Sequence, residues 1–451
     1  MVNNKIAVIG AGITGLTAAY YLKKSGSEVT VFEKNSEPGG AIKTVQDGEW
    51  LTEYGPNTIL VRDQNLVDFF SELGLNDEIV VANPEASKRY IVKNGQLLAL
   101  PMSMMDAILS PVLSTKSKLR ILKEPFIGVN PNRDQSIAEF IERRLGREIL
   151  DYTINPFVAG IFANRPENLS LRHAFPQMSQ LEEMYGSILR GFISGSGKSK
   201  DSEKINRMLI SFKKGLQVLP NRITAMLDRV FYDHKVTSLE KNGESWFVSS
   251  NGKKFGPYGH VILNVPLYQI GEIIDSLTNQ TFPFEKEVTY PQLSVMHLGY
   301  KKNDIQHALD GFGFLVPEVE KRSVLGALFL STLFEGRAPG DCHLLTVFVG
   351  GGRDPKMAEL GTQELVSVVE EELKELIGLR GSYQFMDHVY WPKSIPAYHV
   401  GYDEILNSFS GFENQYQGVH IAGNFRNGIS VPDCIKNGLN LSKSLTKQIN
   451  S

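Results

Sequence analysis

The stretch KIAVIGAGITGLTAAYYLKKSGSEVTVFE, residues 5–33, has the pattern of a complete β-α-β unit. Residues 5–9 are apolar and run into a glycine turn, which is typical of a buried parallel strand. Residues 16–25 have a helical pattern, and residues 28–32 form a second apolar run that ends at Glu33. The chain is therefore predicted to have an α/β fold with a parallel sheet.

Three glycines in this unit have the spacing that a nucleotide-binding loop requires. Gly10 allows the tight turn, Gly12 lets the backbone approach a pyrophosphate, and Gly15 lets the helix pack closely on the strand. The phosphates then lie at the positive N-terminus of the helix. Glu33, 18 residues after Gly15, is placed to accept hydrogen bonds from a ribose 2′-hydroxyl. Because strands, helix and acid are all present, dinucleotide binding is favoured over a loop that only packs a helix.

Two further glycine-rich stretches extend this predicted site. Gly39 and Gly40 can bring more backbone against the cofactor, with Lys43 as a countercharge for phosphate, although a plain surface turn is the alternative. Residues 418–438 read as a buried strand, glycine turns and a helix from about Val431. The N-terminus of that helix would aim amides at an anionic or polar ligand. A site built from both ends of the sequence implies that the middle is inserted into the nucleotide domain.

Length and composition limit the classes of protein that remain. A chain of 451 residues predicts two or three lobes at about 150 residues each, which excludes a small binding module. Hydrophobic residues make up 42% and charged residues 22%, so most of the chain should fold. The net charge of −3 gives no default reason to expect nucleic acid as a partner. No export signal and no apolar run of ~18 residues is visible, so a cytoplasmic location is expected.

Cysteine and histidine usage argues against a metal centre. Cys342 and Cys434 are too few for a disulfide framework or a zinc site of the CxxC type, and they fit a reducing compartment. The nine histidines have no metal-ligand spacing, so no metal is predicted. Each thiol is expected to be a small buried hydrophobic group.

The middle of the chain changes its pattern twice. Residues 65–210 are mostly helical, and an apolar stretch at 97–113, which includes Met102, Met104 and Met105, is followed by basic residues. Such a segment can rest on an anionic membrane surface, and a core helix followed by a solvated helix is the alternative. The remaining predicted elements are strands at 235–239, 246–249 and 260–264 in a β-meander, further strands at 293–300, 324–331 and 344–350, and a helix at 365–377.

Several motifs together resemble one enzyme family. AVIGAGITGLTAAYYL, VTVFEK, EPGGAIKT and IAGNFRNGISVPDCIKNG resemble flavin-dependent oxidases of the monoamine oxidase and phytoene desaturase superfamily. Within it, the chain is similar to the protoporphyrinogen oxidase family. That narrower resemblance rests on GPN at 55–57, KRYIVKNG at 88–95, NPFVAG at 155–160, GFGFLVP at 311–317 and residues 347–353.

The resemblance implies three interleaved domains around FAD. A Rossmann-like FAD-binding domain would comprise residues 1–85, 211–265 and 393–451, and an α+β substrate domain residues 86–100, 198–210 and 266–392. Residues 101–197 would form a mostly helical, membrane-contacting domain. FAD would lie along Gly10, Gly12, Gly15, Glu33, Gly40 and Lys43, with Val236 near the adenine and Asn424, Ile429, Ser430 and Val431 near the flavin.

The resemblance also implies how a porphyrinogen would bind. Arg89 would pair with a propionate, Leu315 and Leu328 would clamp one pyrrole ring, and Phe348 would stack on another. Lys43 stands where the superfamily usually has arginine, so a phosphate contact survives but a bidentate one does not. A reduced tetrapyrrole is a large apolar disc with carboxylates, which suits aliphatic walls and one or two cations.

The implied activity is the six-electron oxidation of protoporphyrinogen IX by dioxygen, with hydrogen peroxide as co-product. The flavin would do the redox chemistry, and no dedicated catalytic residue is expected. Coproporphyrinogen III is the alternative substrate, although its four carboxylates would need more cations than Arg89. A flavin amine oxidase with aromatic residues from 390–398, a carotenoid desaturase and a flavoprotein without activity are further alternatives. Contact with the inner face of the membrane and a homodimer are left open.

Overall fold

The β-α-β unit predicted at residues 5–33 is present in the computed structural model, which describes residues 4–101, 110–194, 207–275, 277 and 288–450. Strand β1 (Lys5–Ile9), helix α1 (Ile13–Lys24) and strand β2 (Glu28–Phe32) follow in order. The helix begins three residues earlier than predicted because Gly12, in an extended conformation, is already its N-cap.

The rest of the described chain alternates short strands and helices. The other strands are β3 (Thr44–Asp47), β4 (Trp50–Glu53), β5 (Ile59–Val61), β6 (Ile79–Val81), β7 (Lys88–Lys93), β8 (Gln96–Ala99), β9 (Met208–Phe212), β10 (Arg229–Phe231), β11 (Val236–Asn242), β12 (Ser245–Ser250), β13 (Lys253–Tyr258), β14 (His260–Leu263), β15 (Leu293–Lys301), β16 (Gly311–Leu315), β17 (Val324–Phe329), β18 (Cys342–Gly350), β19 (Phe385–Trp391) and β20 (Val419–Ile421). The other α-helices are α2 (Gln64–Glu72), α3 (Thr115–Lys123), α4 (Ile137–Arg144), α5 (Arg147–Ile149), α6 (Asn155–Phe162), α7 (Leu171–Ala174), α8 (Pro176–Tyr185), α9 (Ile188–Ile193), α10 (Val218–Ala225), α11 (Leu267–Ile274), α12 (Leu330–Leu333), α13 (Pro355–Ala358), α14 (Thr362–Ile377), α15 (Tyr402–Gln415) and α16 (Val431–Asn450).

A five-stranded parallel sheet joins both ends of the chain, in the order β10-β2-β1-β14-β20. The predicted β-meander is correct for β11 and β12, but its third strand is β13, which the sequence pattern missed. The segment predicted at 260–264 instead forms β14 and pairs with β1. All four residues of β14 are buried, as expected for a central strand of a parallel sheet with both faces covered.

Helices α1 and α16 pack against each other beside this sheet. A Cβ atom at Gly438 of α16 would lie 2.4 Å from the carbonyl oxygen of Thr14 and 2.8 Å from the Cβ of Thr17. The absence of a side chain at Gly438 therefore lets the two helix backbones approach closely. The predicted helix starting at about Val431 is confirmed, and it closes the fold onto the first helix of the chain.

A seven-stranded mixed sheet, in the order β19-β15-β18-β17-β16-β7-β8, confirms the predicted second sheet. Helix α14 confirms the helix predicted at 365–377 and covers one face of this sheet with apolar side chains such as Val369 and Leu373. Helix α6 packs against β16 and β17, where a Cβ at Gly160 would lie only 2.8 Å from Leu315. A small third sheet, β5-β9-β6, places the domain boundary predicted at 210/211 inside β9.

The segment from Ser110 to Ser194 is helical, and buried ion pairs link its elements. Arg144 on α4 donates to Glu124 at 2.9 Å and to Glu182 on α8 at 2.5 Å, and all three side chains are buried. Glu124 also accepts hydrogen bonds from Ser187 and from the backbone of α9. The helical turn that contains Glu124, helix α4, helix α8 and helix α9 are thereby fastened together. Met102, Met104 and Met105, which carried the membrane prediction, lie outside the described residues.

Both thiols have the surroundings expected from the sequence. Cys342 and Cys434 are unpaired and buried. Burial raises the pKa of the Cys434 thiol to about 11. Across the described ranges, none of the helices combines the length and the apolar character needed to cross a bilayer.

Candidate functional site

The glycine loop between β1 and α1 is held by hydrogen bonds on both sides. The side-chain amide of Asn264 donates from Nδ2 to the carbonyl oxygens of Gly10, at 3.0 Å, and Gly12, at 3.1 Å. On the other side, the Ala11 N–H donates to Oε2 of Glu33 at 2.7 Å. The Gly10–Ala11 peptide plane is therefore fixed at its carbonyl and at its N–H, and the loop has one defined conformation.

The N-terminus of α1 has the features that a dinucleotide diphosphate requires. Its N-cap is Gly12, no side chain caps it, and no acidic residue lies in its first turn. The first N–H groups of a helix have no partner within the helix, so these amides remain available to an anion. The residues present therefore fit the diphosphate of FAD.

Glu33 lies at the end of β2 and is buried, as the nucleotide-binding prediction requires. Its two carboxylate oxygens already accept the N–H groups of Ala11 and Asn35. A carboxylate has about four acceptor positions, so Glu33 can still receive ribose hydroxyls. Glu33 thus has a second task that the sequence did not reveal, which is to hold the glycine loop. Val236 begins β11 close by, because the His234 N–H donates to the Glu33 carbonyl.

The second glycine turn lies directly against the first. The Gly39 N–H donates to the Ala11 carbonyl at 2.8 Å, and Gly12 and Gly39 form a parallel bridge. Gly40 is exposed beside it, and a Cβ there would lie 3.5 Å from the Cα of Gly12. The close approach of these backbones favours the interpretation that the second glycine turn contacts the cofactor over the alternative of a plain surface turn. Lys43 is exposed at the end of the turn, with its Nζ 5.6 Å from the ring centroid of Tyr54.

Glu53 anchors this turn from behind, and the sequence analysis missed it. Its Oε1 accepts the Leu216 N–H and its Oε2 accepts the Thr44 hydroxyl, each at 2.7 Å. The next residue, Gln217, donates from its side chain to the carbonyl of Pro38, which begins the second glycine turn. Burial raises the pKa of Glu53 to about 7, against the lowering effect of these hydrogen bonds.

The loop after β20 differs from the glycine loop in that the helix following it, α16, has a side-chain cap. The Tyr398 hydroxyl donates to the Asn424 carbonyl and accepts the Gly428 N–H, which fixes the turn before Ile429. Ser430 Oγ accepts the Asp433 N–H at 3.2 Å, so α16 has its own side-chain cap and an acid in its first turn. The α16 N-terminus is therefore suited to a neutral polar ligand and not to an anion, which narrows the prediction made for it. Ile429 and Val431 lie on either side of this cap.

Hairpin β3-β4 connects the second glycine turn to the seven-stranded sheet. Trp50 stacks on Phe385 with ring centroids 5.0 Å apart. Thr52 and Tyr54, further along the same face of the hairpin, donate hydroxyl hydrogen bonds to the two carboxylate oxygens of Asp387 at 3.3 and 3.2 Å. Every second residue from Trp50 to Tyr54 thus contacts β19, as expected for a strand whose alternate side chains share a face. These contacts fix the second glycine turn relative to the sheet.

The four predicted substrate residues lie on one face of that sheet, which we call the candidate substrate face. Arg89, Gly313 and Leu328 are register partners across β7, β16 and β17. In the neighbouring row, Leu315, Gly326 and Phe348 are partners across β16, β17 and β18. Register partners point to the same face, so the four side chains share it. Leu315, Leu328 and Phe348 are only half-buried, whereas the other side of the sheet is closed by α14.

Arg89 is an exposed cation at one end of this face. Its guanidinium lies 5.7 Å from the centroid of the Phe312 ring, and no carboxylate of the described residues pairs with it. The adjacent Lys88 and Tyr90 instead both bind Asp310. With a strand spacing of about 4.8 Å, the Cα of Leu328, two strands away in the same row, lies roughly 10 Å from that of Arg89, and the Cα of Phe348, three strands away in the neighbouring row, roughly 16 Å.

His297 and Asp387 lie in the same register row as Arg89, on the side of hairpin β3-β4. Neither was predicted to be a site residue. His297 pairs in register with Thr346 and Asp387, and its Nδ1 lies 3.1 Å from the Thr346 hydroxyl. Complete burial lowers the pKa of His297 to about 3, so its imidazole is neutral. Among the described residues, Nε2 of His297 has no hydrogen-bond partner. One aromatic residue offered for an amine oxidase, Tyr398, has its hydroxyl occupied by backbone groups.

Comparisons with known proteins agree with this geometry. A profile of the family described as flavin containing amine oxidoreductase matches residues 13–445. The chain is 36% identical to protoporphyrinogen oxidase 2, chloroplastic/mitochondrial, of Arabidopsis thaliana, over 96% of this chain and 92% of that protein. It is 26% identical to coproporphyrinogen III oxidase of Bacillus subtilis (strain 168), over 96% of this chain and 96% of that protein.

A solved structure has the same fold. A protein from Exiguobacterium sp. 255-15, provisionally named protoporphyrinogen oxidase, superposes with a TM-score of 0.83 at 22% identity, covering 98% of this chain and 99% of that one. The chain therefore belongs to the family of flavin-containing amine oxidoreductases and is an FAD-dependent oxidoreductase.

Proposed function

We propose that this enzyme oxidises a porphyrinogen with dioxygen in haem biosynthesis, with protoporphyrinogen IX as the substrate. The observation that carries the proposal is the candidate substrate face, on which one unpaired cation stands beside an apolar surface. A reduced tetrapyrrole with propionates has the complementary shape and charge. The curated relatives named above act on protoporphyrinogen or coproporphyrinogen, as their names state.

In this proposal the chain binds and orients the substrate. Arg89 would hold a propionate, Leu315 and Leu328 would clamp one ring, and Phe348 would stack on another. FAD, when bound along the two glycine turns, accepts hydride and passes electrons to dioxygen. Overall, six electrons and six protons leave the porphyrinogen, and three dioxygen molecules become three hydrogen peroxide molecules. No side chain needs to act as a dedicated acid or base, which suits an apolar surface and a neutral His297.

The FAD contacts are part of the same proposal. Gly10, Gly12 and Gly15 would face the diphosphate, Glu33 the ribose, and Val236 the adenine. Gly40 and Lys43 would add the second turn. Asn424, Ile429, Ser430 and Val431 would contact the flavin, where the capped N-terminus of α16 favours a neutral ring.

The choice between the two porphyrinogens rests on charge. Protoporphyrinogen IX has two propionates and coproporphyrinogen III has four, and each buried carboxylate needs a cation or several hydrogen-bond donors. The candidate substrate face offers Arg89, whereas Lys88 is already paired with Asp310. We therefore favour the substrate with fewer carboxylates.

An aerobic porphyrin-fluorescence assay tests both parts of the proposal. Purified enzyme should oxidise protoporphyrinogen faster than coproporphyrinogen. Arg89→Ala should raise KM about 10-fold or more, with little change in kcat, because a charge-assisted hydrogen bond contributes to ground-state binding. Arg147→Ala, which removes an exposed arginine whose partners are Glu142 and Asp151, is the matched control.

Two results would count against it. Faster oxidation of coproporphyrinogen would reassign the substrate while keeping the reaction. Reduction of the bound flavin by an amine under anaerobic conditions, with none by either porphyrinogen, would reject porphyrinogen oxidation altogether.

We also propose the three-domain division stated above, with its helical part resting on a membrane surface. Large apolar side chains are exposed there, among them Leu122 at 68%, Phe126 at 84% and Ile193 at 84%. Lys123 and Arg190 are exposed nearby in sequence and can contact anionic headgroups. Because Glu124 hydrogen bonds to the start of α9, the elements that bear Phe126 and Ile193 are adjacent. An apolar patch with cations at its edge is typical of an interfacial surface.

Co-sedimentation with vesicles of phosphatidylglycerol and phosphatidylcholine tests this surface. The double variant Phe126→Ser with Ile193→Ser should lose most of its vesicle binding. The matched control, Val81→Ser with Val319→Ser, removes two exposed apolar side chains elsewhere and should bind as the unchanged protein does. Equal binding by both double variants would show that these residues do not contact the membrane.

A further inference from the structure

All three glycines of the first loop face the same residue, Asn264: Gly10 faces its backbone, and Gly12 and Gly15 face its side chain. A Cβ at Gly10 would lie 2.4 Å from the Asn264 carbonyl oxygen, and a Cβ at Gly12 would lie 3.0 Å from Nδ2 of Asn264. A Cβ at Gly15 would lie 2.5 Å from the same nitrogen and 2.7 Å from Cγ. The sequence predicts that Gly12 lets a pyrophosphate approach and that Gly15 lets the helix pack on the strand. In the structure the space at both positions is taken by Asn264.

Asn264 uses both hydrogens of its amide group in this space. An asparagine side chain has two N–H bonds on one nitrogen, and Nδ2 of Asn264 has two acceptors, the carbonyls of Gly10 and Gly12. The backbone N–H of Asn264 also donates to the Ile9 carbonyl at 2.8 Å. The residue follows β14 and is buried, so its position is set by an interior strand of the parallel sheet, the neighbour of β1.

The two carbonyls determine where the neighbouring N–H groups point. In a planar trans peptide the carbonyl and the following N–H point in opposite directions. Holding the Gly12 carbonyl toward Asn264 therefore turns the Ile13 N–H, the first of α1, to the opposite side. Holding the Gly10 carbonyl in the same way directs the Ala11 N–H toward Glu33, where the structure has it.

We infer that Asn264 is a positioning residue of the cofactor site, which orients the first glycine loop so that the amides at the start of α1 face the diphosphate of FAD. The inference rests on membership of the flavin family and not on the porphyrinogen proposal, so either can fail alone. Asn264 acts through the loop and does not itself need to touch FAD.

The rate of FAD release from the holoenzyme, measured by the rise in flavin fluorescence, tests this role. Asn264→Asp keeps the size of the side chain but sets a carboxylate against two carbonyl oxygens, so release should accelerate about 10-fold or more. Asn4→Asp is the matched control, because Asn4 also donates its amide to a backbone carbonyl, that of Gly26, at the ends of β1 and α1 that lie opposite the loop. A release rate within twofold of the unchanged protein for Asn264→Asp would overturn the inference.

A size exchange gives a second and independent test, should Asn264→Asp fail to fold. Gly15→Ala alone should accelerate FAD release, because its methyl group collides with Asn264. In an Asn264→Gly background the same change should add little. Equal acceleration in both backgrounds would show that Gly15 is not accommodating Asn264. A lower unfolding midpoint of Asn264→Gly with an unchanged FAD release rate would reduce Asn264 to a purely structural role and also overturn the inference.

Discussion

The glycine loop of the parallel sheet and the helical segment at 110–194 are both held by buried polar groups, but the two regions use different chemistry. Around the loop the partners of the backbone include a neutral amide, Asn264, on one side and a single acid, Glu33, on the other. In the helical segment the partners are fully ionic, with Arg144 between Glu124 and Glu182. The first arrangement orients peptide groups, and the second fastens separate helices.

The difference follows from what each region presents to its surroundings. The loop must offer N–H groups to an anionic ligand, and a neutral amide can bind its carbonyls from behind without burying a further charge. The helical segment presents Phe126 and Ile193 to solvent, and it cannot bury them to gain stability. Strong internal pairing among charges keeps that surface in place. Burial alone would raise the pKa of Glu124, but the Ser187, Ile188 and Leu189 hydrogen bonds and Arg144 hold it below its usual value.

The largest effect is expected where a charge is removed from the ionic region. Arg144→Ala leaves Glu124 and Glu182 buried without their shared cation, which should lower the free energy of unfolding by about 3–5 kcal/mol. Arg147→Ala is the control on the neighbouring helix. Calorimetry of both variants, with urea unfolding as a check, measures the difference. A loss below about 1 kcal/mol for Arg144→Ala would break the comparison, because the buried network would then behave like a surface ion pair.

The next largest change in stability is expected at the contact between the backbones of α1 and α16, beside the parallel sheet. Gly438→Ala places a methyl group against Thr14 and Thr17, and should lower the free energy of unfolding by about 1–3 kcal/mol. Gly411→Ala, in the exposed part of α15 with open space around it, should instead raise it by about 0.5–1 kcal/mol through helix propensity. Opposite signs in urea unfolding would confirm that the α1–α16 contact requires glycine. Equal signs would contradict it.

Lowering the pH should reduce the free energy of unfolding, because His297 and His420 are buried in the sheets as neutral side chains. Burial lowers the pKa of His297 to about 3, and burial together with His260 and Arg426 lowers that of His420 to about 3. The unfolded chain binds protons at these sites below about pH 6.5 and the folded chain does not. Each site should therefore cost about 1.4 kcal/mol per pH unit as the pH falls from 6.5 toward 3, and nothing above about pH 7.5.

Urea unfolding between pH 7.5 and 4.5 measures that slope. His297→Gln removes one of these two histidines. The slope of the free energy of unfolding against pH should then become less steep by the contribution of one proton. An unchanged slope would mean that His297 does not titrate as an isolated buried base. Because hydrogen bonds and Arg144 hold the pKa of Glu124 below its usual value, the ionic region should add to the slope only toward the acid end of this range.

The smallest effect is expected for Arg147→Ala. Its partners Glu142 and Asp151 lie in or near solvent, so the free energy of unfolding should change by about 0–1 kcal/mol. A change above about 2 kcal/mol in the same calorimetric scans would contradict the distinction between the two kinds of ion pair. Solvent-accessible pairs would then contribute as much to stability as buried ones.

Local pattern was sufficient to predict many of the elements. Residues 5–33 carry turn, helix and strand signals within a single short stretch, so the β-α-β unit could be predicted without knowledge of the rest. Residues 261–263 are a short continuous apolar run, which suits a buried strand in either sheet, and only the partner strand, β1, decides where the segment pairs. Pattern alone therefore assigned it to the wrong sheet.

The residues that the prediction missed share one property, which is that their partners are distant in sequence. Asn264 contacts Gly10 and Gly12 across about 250 residues, and Asp387 contacts Thr52 and Tyr54 across more than 330. Neither belongs to a motif or to a periodic pattern. One signal was available: a lone asparagine directly after an apolar strand, at the edge where the other loops of a parallel sheet carry ligands.

The connectivity of the parallel sheet has a consequence for how the enzyme is made. Its last strand is β20 (Val419–Ile421), and α16 then packs on α1. On the ribosome, β1 and β2 emerge first and must wait for more than 380 further residues before the sheet beside them is complete. The parallel sheet and the α1–α16 contact beside the glycine loop can therefore be complete only after most of the chain has been made.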